Sequence, residues 1–474
     1  MPALGGYDAA TMSFPPFIPP YLPPAATPPP RRGFRVSAAV SWLVIVVSVG
    51  SVAGLTWRRA HLPEQDVAAP AETASVQLKL ISRYVVGLHT LAPSVAKSDG
   101  ANPLPEQVEK AAVSTVDKVR AVPVIGELEG AKAALEKLDA IGEAIDDPNL
   151  REDAQTLRTI YTAGVRAVPE DRAEWLVGRE GWFGHLALGY GRDAGDPHRR
   201  IALAAARRTV VTLISAFAIV GLGLLTGLVL LIIALVLLAD RRVRRAYQPT
   251  TQDTQPFLEA FAVYVGGYVG LSLAVRYLFP AALHFTPAYI GFMLLPPLAG
   301  ALWPRLRGVP AQPWLYGLGW HKGRGIFHEI GAGLGGYITG LPIVFLGGMI
   351  TLLLTAKTGA KASHPIVNES GGVAKALELY LLACVYAPLV EETMFRGALF
   401  HHLRSRWSWV LSTAVVSILF AAMHPQGWAG VPVLASIAIV LAAIREWRGT
   451  IVASAAAHAL NNAFAMTLLV LAAW

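Results

Sequence analysis

Residues 209–239 form a run of 31 residues without one ionisable side chain. As a helix this run is about 46 Å long. A hydrocarbon layer about 30 Å thick needs only about 20 such residues, so the helix tilts or protrudes. A chain built around it is not an ordinary soluble enzyme. Charged residues make up 15% of the sequence and apolar residues 54%, whereas soluble domains carry about 25% charged. Those figures also exclude a disordered chain and a coiled coil. The expected fold class is all-α: a polytopic transmembrane helix bundle of about eight or nine spans with a helical extramembrane insert.

Five regions follow along the chain. Residues 1–35 are a proline-rich tail, with ten prolines in the first thirty positions, expected to stay extended or disordered. It lacks the basic start and apolar core of a secretory signal. Residues 36–57 are the first span, preceded by Arg31, Arg32 and Arg35. Residues 58–208 mix Glu, Lys, Ala and Leu at helical spacing, punctuated by Pro103, Pro105, Pro123, Pro148 and Pro169. They read as a mostly helical soluble insert whose Trp175, Trp182 and Phe183 either pack a small core or rest on the membrane. Residues 209–374 hold further spans, and 375–474 form the membrane domain with the chemistry.

Sidedness comes from the basic residues. Asp240-Arg241-Arg242-Val243-Arg244-Arg245 directly follows the long run, and Arg305, Arg307, Lys322, Arg324 and 401–406 mark two more basic loops. These segments and the N-terminus are expected in the cytoplasm, with the insert outside. The whole reads as an integral multi-pass protein of the cell (plasma or inner) membrane. The net charge of +8 then belongs to cytoplasmic loops rather than to a nucleic-acid surface. Pro296-Pro297 is expected to kink the span over 287–303. Gly331, Gly333, Gly335, Gly336 and Gly340 are expected to let helices approach closely. The single cysteine, Cys384, makes no intrachain disulfide and reads as a small apolar side chain.

In lipid an ionisable side chain is costly and is by default a functional hypothesis. Glu391-Glu392-Thr393-Met394-Phe395-Arg396 follows an apolar stretch. Glu392 and Arg396 are four apart, share a helix face and can pair. Glu391 points about 100° away. It lacks a local partner, as suits a general base, although a charge cluster at a helix end reads equally well. His424 ends an apolar segment before Pro425 and Gly427 and taken alone reads as a cap or packing residue. His458 and Asn462 lie one helical turn apart among apolar neighbours, either as an interhelical hydrogen-bond pair or as donors to an oxyanion. Alternatively the histidine is a metal ligand. A base, two histidines and an amide on three apolar helices can converge on one polar cavity suited to amide hydrolysis. Counted from the basic loops, His424 is expected deeper than Glu391 or His458.

At these residues the sequence resembles the CPBP intramembrane protease family, which includes CAAX prenyl endopeptidases and bacterial relatives linked to bacteriocin processing or immunity. Its pattern is matched, in order, by Glu391-Glu392-x-x-x-Arg396, Phe420-x-x-x-His424 and His458-x-x-x-Asn462, over about residues 375–470. The resemblance implies a peptide hydrolase in which Glu391 and His424 activate water and His458 and Asn462 stabilise the oxyanion. Glu392 and Arg396 would be the supporting ion pair. Family members are often labelled metalloproteases. A glutamate-activated water needs no metal, while Glu391, His424 and His458 would form the ligand set of a divalent ion such as zinc. His328-Glu329-Ile330-Gly331-Ala332 begins like a zincin motif but lacks its second histidine. The expected partners are a peptide or protein substrate, open to lipid modification, and the bilayer. Cleavage is expected near the cytoplasmic side. Two rivals are a non-catalytic scaffold or immunity protein, and a proton-coupled transporter that uses Glu391, His424 and His458 as a relay. No internal repeat of the kind found in two-halved transporters is visible.

Overall fold

The computed structural model describes residues 36–60, 71–92, 103–278, 291–358 and 373–473. The proline-rich tail lies outside them. The described residues form helices joined by turns and short loops, with no strand among them.

Helix α1 (Ala38–Ala60) leads into the insert, which begins with α2 (Ala71–Leu91). Helices α3 (Pro103–Ala111), α4 (Thr115–Glu129), α5 (Ala131–Ile141), α6 (Pro148–Ala163), α7 (Glu170–Glu180) and α8 (Trp182–Leu188) follow. The starts obey ordinary capping chemistry. Ser114 and Asp117 form a capping box, and Asp147 caps a helix that opens on Pro148. Trp182 and Phe183 are buried in the insert core, while Trp175 stays exposed.

Helix α9 (Pro197–Ala239) has 43 residues, about 65 Å of rise, and belongs to both parts of the molecule. Asp196 caps its first turn. Its Ala202, Leu203 and Ala206 then join the core of the insert. At Gly87 of α2 any Cβ would collide with the Ala206 carbonyl oxygen, so the two helices touch backbone to backbone. Beyond Val210 the helix turns apolar on all sides, as the 209–239 run requires.

The membrane part continues with α10 (Gln255–Leu278), α11 (Leu295–Leu306), α12 (Ala311–Leu318) and α13 (Ile326–Thr358). Residues 291–293 are helical and residue 294 is a turn, so the helix breaks directly before Pro296 and Pro297, where the kink is expected; residues 287–290 lie outside the described residues. Both prolines occupy the first turn of the 12-residue α11, where a missing N–H costs nothing. A helical rod over 373–404 (α14) comes next, then α15 (Trp409–Ala422), α16 (Val431–Arg448) and α17 (Ile451–Ala473). Among the described residues five helices are long and apolar enough to cross a membrane. They are Ala38–Arg58, Pro197–Ala239, Gln255–Val275, Ile326–Thr358 and Trp428–Arg448, and Trp409–Ala422 is a shorter apolar helix. Of the crowded glycines, Gly333 and Gly340 meet α17 and α16 so closely that a Cβ would strike the Ala453 carbonyl and the Val440 side chain; Gly331 and Gly335 face open space.

The basic segments meet at one end of the bundle. Ala246 and Tyr247 donate backbone hydrogen bonds to Trp447 and Glu446, and Ile451 donates to Gly319. Arg406 reaches Thr254 at 2.7 Å. Gln255 reaches the carbonyl of Val36 at 3.4 Å, so the start of α1 lies at this end too. Glu329 is bound by Arg448 through two 2.8 Å bonds, both side chains buried, which gives the zincin-like His328-Glu329 pair a structural job. Removing one partner of such a pair strands the other charge. Glu329→Ala is therefore expected to lower stability by about 3–5 kcal/mol in a thermal unfolding series in detergent. The double change Glu329→Met with Arg448→Met is expected to recover most of it.

Candidate active site

The site begins with a proline. Pro388 has no N–H to donate up the rod α14. The turn before it widens, so Leu382–Tyr386 is π-helical and the N–H of Ala387 bonds Leu382 instead of Ala383. The Ala383 carbonyl is thus passed over on both counts. Asn462 on α17 fills the gap, its Nδ2 donating to Ala383 O at 2.7 Å. A short α segment, Ala387–Glu391, follows, and a second π segment, Glu392–Leu399, begins directly after Glu391. There Phe400 N–H goes to Phe395 and Gly397. The carbonyl of Arg396 receives Arg445 Nε at 3.1 Å instead.

Within this second π segment Glu392 and Arg396 pair at 2.9 Å with both side chains fully buried. Three further groups hold the pair. Arg396 Nη2 donates to Ala438 O at 3.2 Å, its guanidinium lies 4.5 Å from the Phe420 ring centre, and His458 Nδ1 stands 3.1 Å from Glu392 Oε1. Phe420 also packs against His424, the rings tilted by 43° with centres 4.4 Å apart.

Glu391 is the carboxylate left over. Its Oε2 lies 3.8 Å from His458 Nε2 and 4.0 Å from His424 Nε2, enclosed and without a hydrogen-bond partner. Both imidazoles are turned the same way. His424 Nδ1 is 2.6 Å from the Phe420 carbonyl, and His458 Nδ1 faces the Glu392 carboxylate. Each Nδ1 meets an acceptor and so carries the proton, which directs each Nε2 at Glu391. Gaps near 4 Å are too long for direct hydrogen bonds and are the kind that a water bridges.

The structure thus brings Glu391, His424 and His458 together, with Glu392 and Arg396 behind them. His424 is not set apart by depth, because α15 has only 14 residues and ends level with Glu391. Asn462 stands one turn beyond His458, with one N–H spent on Ala383 and its Oδ1 accepting from Asn461 at 3.0 Å. Asn461 in turn accepts from Tyr337 at 2.7 Å. Sequence reasoning gave no role to Pro388, Arg445 or the ring of Phe420. A proline inside an apolar stretch and an arginine closing one were the available signals.

As a zinc set, Glu391, His424 and His458 are open. Donors in a tetrahedral site with bonds near 2.0–2.1 Å lie about 3.4 Å apart, against the 3.8 and 4.0 Å here. Among the described residues no three His, Cys, Asp or Glu side chains are grouped closely enough to hold a metal ion.

No curated protein and no solved structure matches this chain. Residues 374–464, the segment that holds every one of these site residues, match the family described as Rce1-like, type II CAAX prenyl endopeptidases.

Proposed function

We propose that this chain is an intramembrane endopeptidase that hydrolyses a peptide bond with a water activated by Glu391 and His424. One observation carries the reading: the enclosed, unpartnered Oε2 of Glu391 faces the Nε2 atoms of two histidines at 3.8 and 4.0 Å. Glu391 takes a proton from the water as its oxygen bonds the scissile carbon. The carboxylic acid so formed gives that proton to the leaving amine as the C–N bond breaks. His424, fixed by the Phe420 carbonyl, orients the water.

His458 and Asn462 stabilise the tetrahedral oxyanion. Glu392 holds His458 through Nδ1, which aims its Nε2 into the site. Asn462 has a second N–H beyond the one given to Ala383. Each oxyanion donor is worth about 2.7–4 kcal/mol where it has been removed from other enzymes. No step is assigned to a metal. The 373–404 rod, α11, α15 and α17 complete a count of eight or nine crossings, with the N-terminus in the cytoplasm. The substrate is a peptide or protein segment, with or without a lipid.

Glu391→Gln is expected to lower cleavage by about a hundred- to ten-thousand-fold while the protein stays folded. Comparative membrane proteomics of cells carrying each form reads this as accumulated precursors, and normal processing by the variant rejects the assignment. Asn462→Ala is expected to act twice. It slows turnover, and by orphaning the Ala383 carbonyl it lowers stability by about 1–3 kcal/mol in thermal unfolding. Chelation followed by metal analysis is expected to leave metal-free protein at full cleavage rate. Activity lost with the metal and restored by zinc would transfer the activation of water to an ion held by Glu391, His424 and His458.

A further inference from the structure

Burial along α14 changes abruptly at Glu391. Every residue from Glu392 to Leu403 is buried, whereas Leu381, Val385 and Leu389 are 55%, 50% and 41% exposed. Below Glu391, toward the basic loops, Phe395, Phe400, Phe261, Tyr247 and Arg445 fill the space. The basic end is then tied shut. Arg404 binds Glu446 through bonds of 2.9 and 3.0 Å, Arg448 binds Glu329, and Arg307 binds Glu259 at 2.7 Å. These ion pairs and packed side chains cross-link the basic end of the bundle.

The other side is open. Helix α15 is short, so the turn over 423–430 lies partway along the bundle, beside the site. Trp428 on that turn is 40% exposed, and His424 and Glu391 keep 22% and 21% of their side chains exposed. Gln426, on the same turn, has an enclosed Oε1 with no partner, as does Glu391 with its Oε2.

The insert stands at that open end. Chain direction requires it, since α1 enters the insert from the basic end and α9 returns from it to Arg241–Arg245. Packing agrees, because α2 of the insert contacts α17, the helix that bears His458 and Asn462.

We infer that the site takes a peptide presented on the insert side of the membrane, past the 423–430 turn, and not one arriving from the face of the basic loops. With those loops in the cytoplasm, the substrate is an extracytoplasmic segment, which reverses the sequence expectation of cleavage near the cytoplasmic side. What passes the opening rests on the peptidase reading; the direction of the opening does not.

Cysteine labelling tests the direction without requiring activity. In full-length protein with Cys384→Ser, single changes Gln426→Cys and Trp428→Cys probe the turn. Glu174→Cys marks the insert side and Lys322→Cys the basic side, both positions being exposed. In sealed membrane vesicles of known orientation, a membrane-impermeant maleimide is expected to label the turn cysteines whenever it labels Glu174→Cys, and not in the opposite orientation. Labelling in step with Lys322→Cys overturns the inference. So does labelling only after detergent, which would mean an opening into lipid alone. Two turn positions guard against one variant failing to fold.

Discussion

A buried ion pair organises the C-terminal bundle. Glu392 and Arg396 have no exposure at all, and each would cost several kcal/mol to bury alone. Other groups share the shell of the pair, although Glu392 Oε2 and Arg396 Nε keep no hydrogen-bond partner. The Ala438 carbonyl, the face of Phe420 and the Nδ1 of His458 come from three different helices. Two of these contacts also bear on the neighbours of Glu391. Phe420, under the Arg396 guanidinium, packs against His424, and His458 is oriented by Glu392. The structural pair and the carboxylate of Glu391 adjoin in sequence, and the electrostatic needs of one position the other.

The widened turns of α14 give this arrangement its register. A regular α-helix through Pro388 would leave carbonyls unanswered in a nonpolar setting, where an unpaired polar group is expensive. Two π segments, one on each side of Glu391, shift the ladder, and side chains from other helices take up the carbonyls passed over: Asn462 for Ala383 and Arg445 for Arg396. Gly397 allows this rod to pack on α12, since a Cβ there would sit 2.6 Å from the Leu318 carbonyl oxygen. Wide turns of this kind recur at functional sites because they turn a side chain without breaking the helix.

Much of this is legible from spacing. The i,i+4 relation of Glu392 and Arg396, the helical insert, and the change from mixed to apolar residues within α9 all follow from periodicity and composition. So does the gathering of polar side chains from three apolar segments. Other features depend on the path of the backbone, which a one-dimensional pattern does not carry. Depth counted at a uniform rise puts His424 below the site, whereas the shortness of α15 brings it level. Pro296-Pro297 marks a break in the helix, but the pattern does not say that a new helix starts at Leu295. Five helices among the described residues are long and apolar enough to cross a membrane, against the eight or nine spans expected: α11 and α15 are short, and the 373–404 rod carries Glu391, Glu392 and Arg396. Asn462 reads as a free donor until the vacancy at Ala383 is known.

The central claim is that the carboxylate of Glu391 and the imidazole of His424 hold the attacking water. An experimental structure of the Glu391→Gln protein with an uncleaved peptide tests it most directly. The expected result is a water between residue 391 and His424, about 3–3.5 Å from the carbonyl carbon of the peptide, with the carbonyl oxygen turned toward His458. A peptide bound with its scissile carbonyl away from residue 391 would contradict it.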